Sequence, residues 1–284
     1  MEKTENIVIL GAGPAGISTA LFLAKAGISP VVLERSNFPR DKVCGDALSG
    51  KVVEVLKKIN PEWVDDLAAQ PAHLGSWGVS FFAPDRNCLR VPFRRTPKPG
   101  ENAPGYIAKR IDFDNWWFQK AVNEPLISIR QNVHPNSFVK TSEGWIISDE
   151  KGDEIVRTKL IIAADGALSK FAKNPGGFHM EPRHYCAGIR AYYKNVKDCD
   201  SENFIELHFL KDLLPGYFWI FPLPNGLCNV GIGMRSDTIA SKKLNLKKEL
   251  QKILNEDPVF KARFSESEIL GPVQGFGLPL GSKK

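Results

Sequence analysis

"NIVILGAGPAGISTALFLAKAGISPVVLER", Asn6 to Arg35, decides the architecture. Asn6–Leu10 is a continuous apolar run, as a parallel strand buried on both faces requires. Gly11, Gly13 and Gly16 follow at once as G-x-G-x-x-G, and a helix rich in small residues comes next. "PVVLER" is a second strand, so the whole is a β-α-β unit. The first glycine allows a tight turn, the second lets backbone approach a pyrophosphate, and the third lets helix and strand pack closely. The helix N-terminus offers free N–H groups and a positive dipole end to phosphates. Glu34 ends the second strand, about twenty residues on, where a carboxylate accepts from ribose hydroxyls. Pro14, Ala15 and Arg35 adjoin these residues and are expected among the dinucleotide contacts, as is Val133.

At 284 residues the chain has room for one large domain or two. Its five cysteines, Cys44, Cys88, Cys186, Cys199 and Cys228, form no C-x-x-C pair. That count and spacing argue against a metal site or a disulfide scaffold and fit a reducing compartment. No secretory signal opens the chain, so a cytoplasmic location is expected. The apolar stretch Ile7–Ile28 has the length of a membrane span, but its clustered glycines, Pro14 and Lys25 make a strand and a helix the better reading. The net charge of +6 favours anionic partners. Much of the excess lies in "SKKLNLKKELQK", read as one helical run from Ser241 to Lys252. It is either a solvated face or a membrane-surface contact; no nucleic-acid motif accompanies it.

Past the first unit come the loop "SNFPRDKVCGDALSG" and an amphipathic helix around Val52–Ile59. From His73 to Phe93 the apolar period moves toward two, which predicts antiparallel strands. "TPKPGENAPG" is a Pro/Gly-rich crossover, and "IDFDNWWFQKAV" is a helix with acidic residues in its first turn. "SFVKTSE" and "GWIISDE" read as a hairpin, and "TKLIIAADG" as another buried parallel strand. After Pro175 the pattern turns antiparallel again. The chain therefore visits a dinucleotide domain twice and a β-rich domain twice.

"PGYFWIFPLPNGLCNVGIG", Pro215 to Gly233, predicts a hairpin turning at Asn225-Gly226. Tyr217, Trp219 and Phe221 alternate, so they share one face. Pro222 and Pro224 are expected to stop the strand. The aromatic face is either a cavity wall or ordinary sandwich core.

"LIIAADGALSK", with Asp165-Gly166 at a strand end, resembles the second fingerprint of aromatic-hydroxylase-like flavoproteins, where the turn lies near the flavin's ribityl and pyrophosphate region. With "GAGPAG" and Glu34, "KVCGD" (Lys42–Asp46), "YIAKRIDFDNWW" (Tyr106–Trp117) and "PGYFWIFP" with "NVGIG", the chain resembles the geranylgeranyl reductase family within that superfamily. The third stretch matches the family's R-x-x-F-D helix start at Arg110, Phe113 and Asp114, and the resemblance implies Arg110 among the cofactor contacts.

The resemblance implies an α/β chain: a Rossmann-type, glutathione-reductase-like FAD-binding domain interleaved with an antiparallel β-rich substrate domain. The expected boundaries are 1–70 with 101–176 for the FAD domain and 71–100 with 177–270 for the substrate domain. Residues 271–284 would begin a return to the FAD domain, because the family's third FAD motif, a Gly-Asp after a short strand, has no counterpart here. A shortened chain is expected. The resemblance implies FAD, with NAD(P)H or another reductant as electron donor. It also implies a cavity wall of Tyr217, Trp219, Phe221 and Pro222 for an apolar isoprenoid, and peripheral membrane contact. Cys44 and Gly45 would sit beside the flavin, Cys44 as a catalytic thiol or as an inert one; Asp46 stands where the family often has a second glycine. The expected activity is reduction of C=C bonds by hydride from reduced flavin. A flavin monooxygenase or halogenase-like enzyme and a non-catalytic flavin-binding fragment are the alternatives; "YFWIFP" differs from the W-x-W-x-I-P of tryptophan halogenases.

Overall fold

The structure is a computed structural model that describes residues 4–280 apart from 95, 97 and 99. Pro97 and Pro99 of the crossover and the terminal "GSKK" lie outside the described residues. In chain order the elements begin β1 (Thr4–Leu10), α1 (Pro14–Lys25), β2 (Val31–Leu33), β3 (Ala47–Leu48), α2 (Gly50–Ile59), α3 (Glu62–Ala69), β4 (Leu74–Ser76) and β5 (Gly78–Phe82). Next come β6 (Cys88–Pro92), β7 (Gly105–Ile107), α4 (Arg110–Val122), β8 (Ser128–Arg130), β9 (Ser137–Thr141), β10 (Gly144–Ser148), β11 (Glu154–Ala163) and α5 (Lys170–Lys173). β12 (Tyr185–Lys194), β13 (Ile205–His208), β14 (Tyr217–Leu223), β15 (Leu227–Arg235), α6 (Ser236–Lys242), α7 (Leu246–Glu256), α8 (Pro258–Arg263) and β16 (Glu268–Pro279) follow.

The chain divides into two compact units, Met1–Asp41 with Ile111–His179, and Lys42–Arg110 with Met180–Lys284. Each unit takes two stretches of the chain, cut at other positions than 70, 100 and 176. Residues 42–70 and 101–110 go with the second unit because β3 and β4 both pair with β7. Residues 177–179 stay with the first, where the Phe178 N–H donates to the Ala172 carbonyl. Residues 271–279 do not begin a return to the first unit. They are the second half of β16, which pairs antiparallel with β12 from Lys194↔Glu268 to Tyr185↔Pro279.

The first unit is built on a six-stranded sheet in the order β8-β2-β1-β11-β10-β9. β8, β2, β1 and β11 run parallel, and β10 and β9 continue antiparallel. Val8, Leu10, Val31 and Leu33 pack with Ile147, Val156 and Ile161 in its core. α1 buries Gly16, Ile17, Ala20, Leu21 and Ala24, of which Gly16, Ala20 and Ala24 are small enough for close packing. β11 lies between β10 and β1: residues from Glu154 to Thr158 pair with β10 and from Arg157 to Ala163 with β1. The pairing Leu10↔Ala163 brings Asp165-Gly166 to the end of β1.

The second unit holds a seven-stranded sheet, β16-β12-β15-β14-β13-β5-β6, and the small sheet β3-β7-β4. One face of the large sheet presents Phe218, Ile220, Val230 and Ile232 to Leu246, Leu250, Ile253 and Leu254 of α7 and to Phe260. The i, i+4, i+7, i+8 spacing makes one apolar stripe on α7. The other face carries Trp219, Phe221 and Leu223 against Ile107 and Tyr192. Two local expectations need correction. β14 runs through Pro222, which pairs with Cys228, rather than stopping there. β13 pairs no further along than Ile220, so Pro222 has a neighbouring strand on one side only and its missing N–H is tolerated. The run Ser241–Lys252 is two helices: Lys243 is left-handed, and Asn245 caps α7 by accepting from the Lys247 and Lys248 N–H groups at 3.1 and 3.2 Å.

Candidate cofactor site and substrate cavity

In the first unit the glycines divide by what the fold demands of them. Gly11 has φ +91°, and a Cβ there would lie 2.7 Å from the Ala164 carbonyl oxygen and 2.9 Å from Asp165 Cα. A Cβ on Gly16 would fall 1.9 Å from the Gly11 oxygen. Packing alone requires both. Gly13 differs: its φ is ordinary at −69°, and a Cβ would meet only Arg40 Nη2, at 3.4 Å. The fold has no need of glycine at 13. A ligand approaching the start of α1 does, and no side chain caps that helix.

Glu34 is buried, 4% exposed, and ties the loop together. Its Oε2 accepts the Ala12 N–H at 2.7 Å and its Oε1 accepts the Ser36 N–H at 2.9 Å. The Val133 N–H donates to the Glu34 carbonyl. Arg35 is exposed. Arg40, which the sequence reading did not single out, donates from Nη1 to Asp114 Oδ2 at 2.9 Å, and its guanidinium lies 4.7 Å from the Phe38 ring centroid. Phe38 in turn stacks on Phe118. Asp165 Oδ1 is buried with no hydrogen-bond partner. Gly166, at φ +89°, turns the chain after it. An orphaned acceptor, an uncapped helix start with open space at Gly13 and a nearby guanidinium fit a ligand that carries both hydroxyls and a pyrophosphate. FAD is such a ligand. Cys44, Gly45 and Arg110, expected with these contacts, belong to the second unit.

The second unit contains a cavity of about 280 Å³ whose lining includes Cys44, Gly45, Asp46, Tyr217, Trp219 and Phe221. The three rings follow one another at centroid spacings of 5.9 and 6.1 Å. Trp219 and Phe221 are buried, and Tyr217 is 38% exposed. Wall and core are thus one structure: the same aromatics line the cavity and close the cluster beneath it. Gly231 makes the wall possible, since a Cβ there would lie 2.3 Å from Trp219 Cζ2. Pro222 is buried but is not among the lining residues.

A polar network underlies this wall. Asp46, fully buried and left-handed at φ +69°, accepts from Tyr192 Oη and Asn229 Nδ2 on Oδ2, both at 2.8 Å. The Arg110 N–H reaches Oδ1 at 3.3 Å. Asn229 also donates to the Cys44 carbonyl at 2.8 Å and accepts from Trp219 Nε1 at 2.9 Å. Burial pushes the Asp46 carboxyl up to about 6, against the lowering effect of Asn229, Tyr192 and Arg190. Sequence reasoning missed Asn229, Tyr192 and Arg190. One signal was there to read: Asn229 is a lone amide inside the apolar strand "LCNVGIG", and such a residue needs partners when buried.

The FAD binding domain family matches residues 4–212, and the geranylgeranyl reductase catalytic domain matches residues 185–275. The menaquinone reductase of Mycolicibacterium smegmatis is 30% identical over 82% of this chain and 56% of its own length. Digeranylgeranylglycerophospholipid reductase 1 of Methanopyrus kandleri is 30% identical over 81% of this chain and 58% of its own length. The chain thus spans a little over half the length of the curated relatives it matches. A geranylgeranyl bacteriochlorophyll reductase-like protein of Thermoplasma acidophilum shares the fold at TM-score 0.78 and 22% identity, over 98% of this chain and 66% of its own. The flavin-dependent brominase Bmp2 does so at TM-score 0.79 and 21% identity, over 97% and 67%. The geranylgeranyl reductase catalytic domain match lies within the second unit, and the chain belongs to the FAD-binding domain family.

Proposed function

We propose that the chain acts as a flavin-dependent reductase of C=C bonds in an isoprenoid or similar apolar lipid, with FAD as cofactor. The cavity walled by Tyr217, Trp219 and Phe221 carries the reading. Flat aromatic surface suits a polyene and offers water few partners. Two relatives are named for reduction of a quinone and of a digeranylgeranyl lipid, which supports a long apolar substrate.

Reduced FAD, when bound, supplies a hydride; the protein binds, orients and desolvates. The backbone at Gly13 and the start of α1 would take the pyrophosphate, and Glu34 and Asp165 Oδ1 would accept from hydroxyls. The glycine loop, Pro14 and Ala15 shape that cradle. An isolated alkene accepts hydride only when a proton arrives in step or first. Asp46 holds a proton up to about pH 6. Its Oδ2 accepts two 2.8 Å hydrogen bonds and its Oδ1 only the longer 3.3 Å contact from the Arg110 N–H, which favours Oδ1 as the oxygen that carries the proton. Cys44 lines the cavity and is held by its carbonyl, which supports a positioning role for the loop rather than a thiol reaction.

The electron donor is NAD(P)H or another reductant, and the Glu34 carboxylate would repel a 2′-phosphate from the dinucleotide pocket. Among the described residues no helix is long and apolar enough to cross a membrane. Exposed Leu89 and Val91 on the edge strand β6 support peripheral contact with a lipid surface. The test is reconstitution with FAD followed by anaerobic reduction and addition of isoprenoids. Saturated product supports the reading; oxygen uptake coupled to substrate would instead indicate a monooxygenase or halogenase-like activity.

A further inference from the structure

The sequence scatters its cysteines, but the fold brings two of them together. Cys199 lies in the loop after β12, and Cys228 is the second residue of β15. Their Sγ atoms are 3.4 Å apart, and both are free thiols. Cys199 is half-buried and Cys228 is 2% exposed. Arg263 fixes the loop that presents Cys199. Its Nε and Nη2 donate to the Lys197 and Asp198 carbonyls, each at 3.0 Å, while Nη1 and Nη2 also hold Glu206 at 2.6 and 2.9 Å.

We propose that Cys199 and Cys228 form a redox-active dithiol that reduces small hydroperoxides and closes to a disulfide. The two thiols are not equivalent. The sulfur–sulfur hydrogen bond with Cys228 holds Cys199 below the usual thiol range, and the Arg263 guanidinium adds to this against the pull of burial and of Glu206. Its partner Cys228 is pushed up by that same bond and by burial. Cys199, half-buried on a loop held by Arg263, is the sulfur a peroxide reaches and so the attacking one, and Cys228, 2% exposed in its strand, is the resolving one.

The Cys199 thiolate attacks the distal oxygen of ROOH. The O–O bond breaks, RO⁻ leaves and takes a proton to give ROH, and Cys199 becomes a sulfenic acid. The Cys228 sulfur then loses its proton and attacks the Cys199 sulfur. The S–S bond forms, the S–OH bond breaks, and hydroxide leaves as water with that proton. Two thiols are oxidised by two electrons in all, and one hydroperoxide is reduced. Closing from 3.4 Å to a bond of about 2.05 Å needs ~1.4 Å of approach, within reach of side-chain rotation and a small loop shift. The bond would tether the loop to the strand residue that precedes Asn229, the amide that holds Cys44 and Trp219.

The test treats the full chain with hydrogen peroxide, blocks free thiols with N-ethylmaleimide and maps peptides without reduction. The expected product has lost two hydrogens and contains a Cys199–Cys228 linked peptide that dithiothreitol reverses. Cys199, with Cys228 3.4 Å away to close the disulfide, should be lost to peroxide ahead of the exposed Cys88. Cys228→Ser should stop at a Cys199 sulfenic acid that dimedone traps. Cys199→Ser, a change at a half-buried loop position, should remove the linkage and provides the control should the Cys228 variant not fold. Full maleimide labelling of Cys199 and Cys228 after peroxide, with Cys44 or Cys88 oxidised in their place, would overturn the proposal. So would over-oxidation of Cys199 with no linked peptide. Thiol masses are read without flavin or substrate, so the outcome is independent of the proposed reductase activity.

Discussion

Replacing Asp46 by Asn should change how stability depends on pH. The wild-type carboxyl, fully buried, moves from its ordinary 3.8 to about 6. A displacement of about two pH units corresponds to ~3 kcal/mol favouring the protonated form in the folded chain. The folded state therefore binds this proton more tightly than the unfolded state does. Between about pH 4 and pH 6 the unfolded chain has released it while the native chain keeps it, so stability falls as pH rises through that window. Below the window the penalty is absent, and above it the whole ~3 kcal/mol is present. Asn keeps the shape, tolerates the left-handed backbone and does not titrate. The stability of Asp46→Asn relative to wild type should thus rise by ~3 kcal/mol from pH 4 to pH 7 and then level off. Any cost of the altered hydrogen bonds to Tyr192, Asn229 and the Arg110 N–H enters as a constant offset. Urea unfolding of both proteins at half-unit pH intervals measures the difference. A flat difference would mean the carboxyl is not displaced. A difference that shrinks with rising pH would mean that the three donors outweigh burial and that Asp46 is held ionised.

The two inner glycines should separate under small substitutions: Gly16→Ala drives a Cβ into the Gly11 carbonyl and should destabilise the chain, whereas Gly13→Ala should leave melting nearly unchanged. Gly13→Val should then abolish FAD retention in a folded protein, and tight binding by that variant would remove the glycine loop from the cofactor site. Glu34→Ala should weaken FAD roughly ten- to a hundredfold, the loss of about 1.5–3 kcal/mol expected for one charge-assisted hydrogen bond. It should also loosen the loop at Ala12 and Ser36, visible as faster amide exchange there. Trp219→Ala should cost about 3–5 kcal/mol as a buried aromatic. Because the same ring lines the cavity, a Trp219→Phe variant that folds should shift preference among isoprenoids of different length; unchanged preference would make the ring core alone.

Much of this was legible where chemistry is local. The β-α-β unit, the hairpin turning at Asn225-Gly226 and the shared face of Tyr217, Trp219 and Phe221 follow from periods and turn residues that act within a few positions. Pairings over long separations were not legible. Segment 42–70 looks like a continuation of the dinucleotide domain until β3 and β4 are seen to share β7. The Gly- and Pro-rich stretch after Ile269 gives no strand signal, yet a ten-residue partner in β12 holds it as β16. The Asp46 network has the same origin. Asn229 and Tyr192 meet Asp46 from 183 and 146 residues away, and only the folded sheet defines those distances. Asp46 itself was noticed as a departure from glycine; its left-handed backbone explains why glycine is the common choice there. Arg40 had no periodic or motif signal at all.

The most direct measurement is a single anaerobic turnover. The chain is loaded with FAD, the flavin is reduced, oxygen is excluded, and a geranylgeranyl lipid is added while flavin absorbance and product mass are followed together. Flavin reoxidation in step with a product that has gained two hydrogens per double bond is the expected result, with the rate falling in Asp46→Asn while FAD stays bound. A chain that holds reduced FAD, meets the lipid and returns it unchanged, with the flavin still reduced, would contradict the assignment as a C=C reductase.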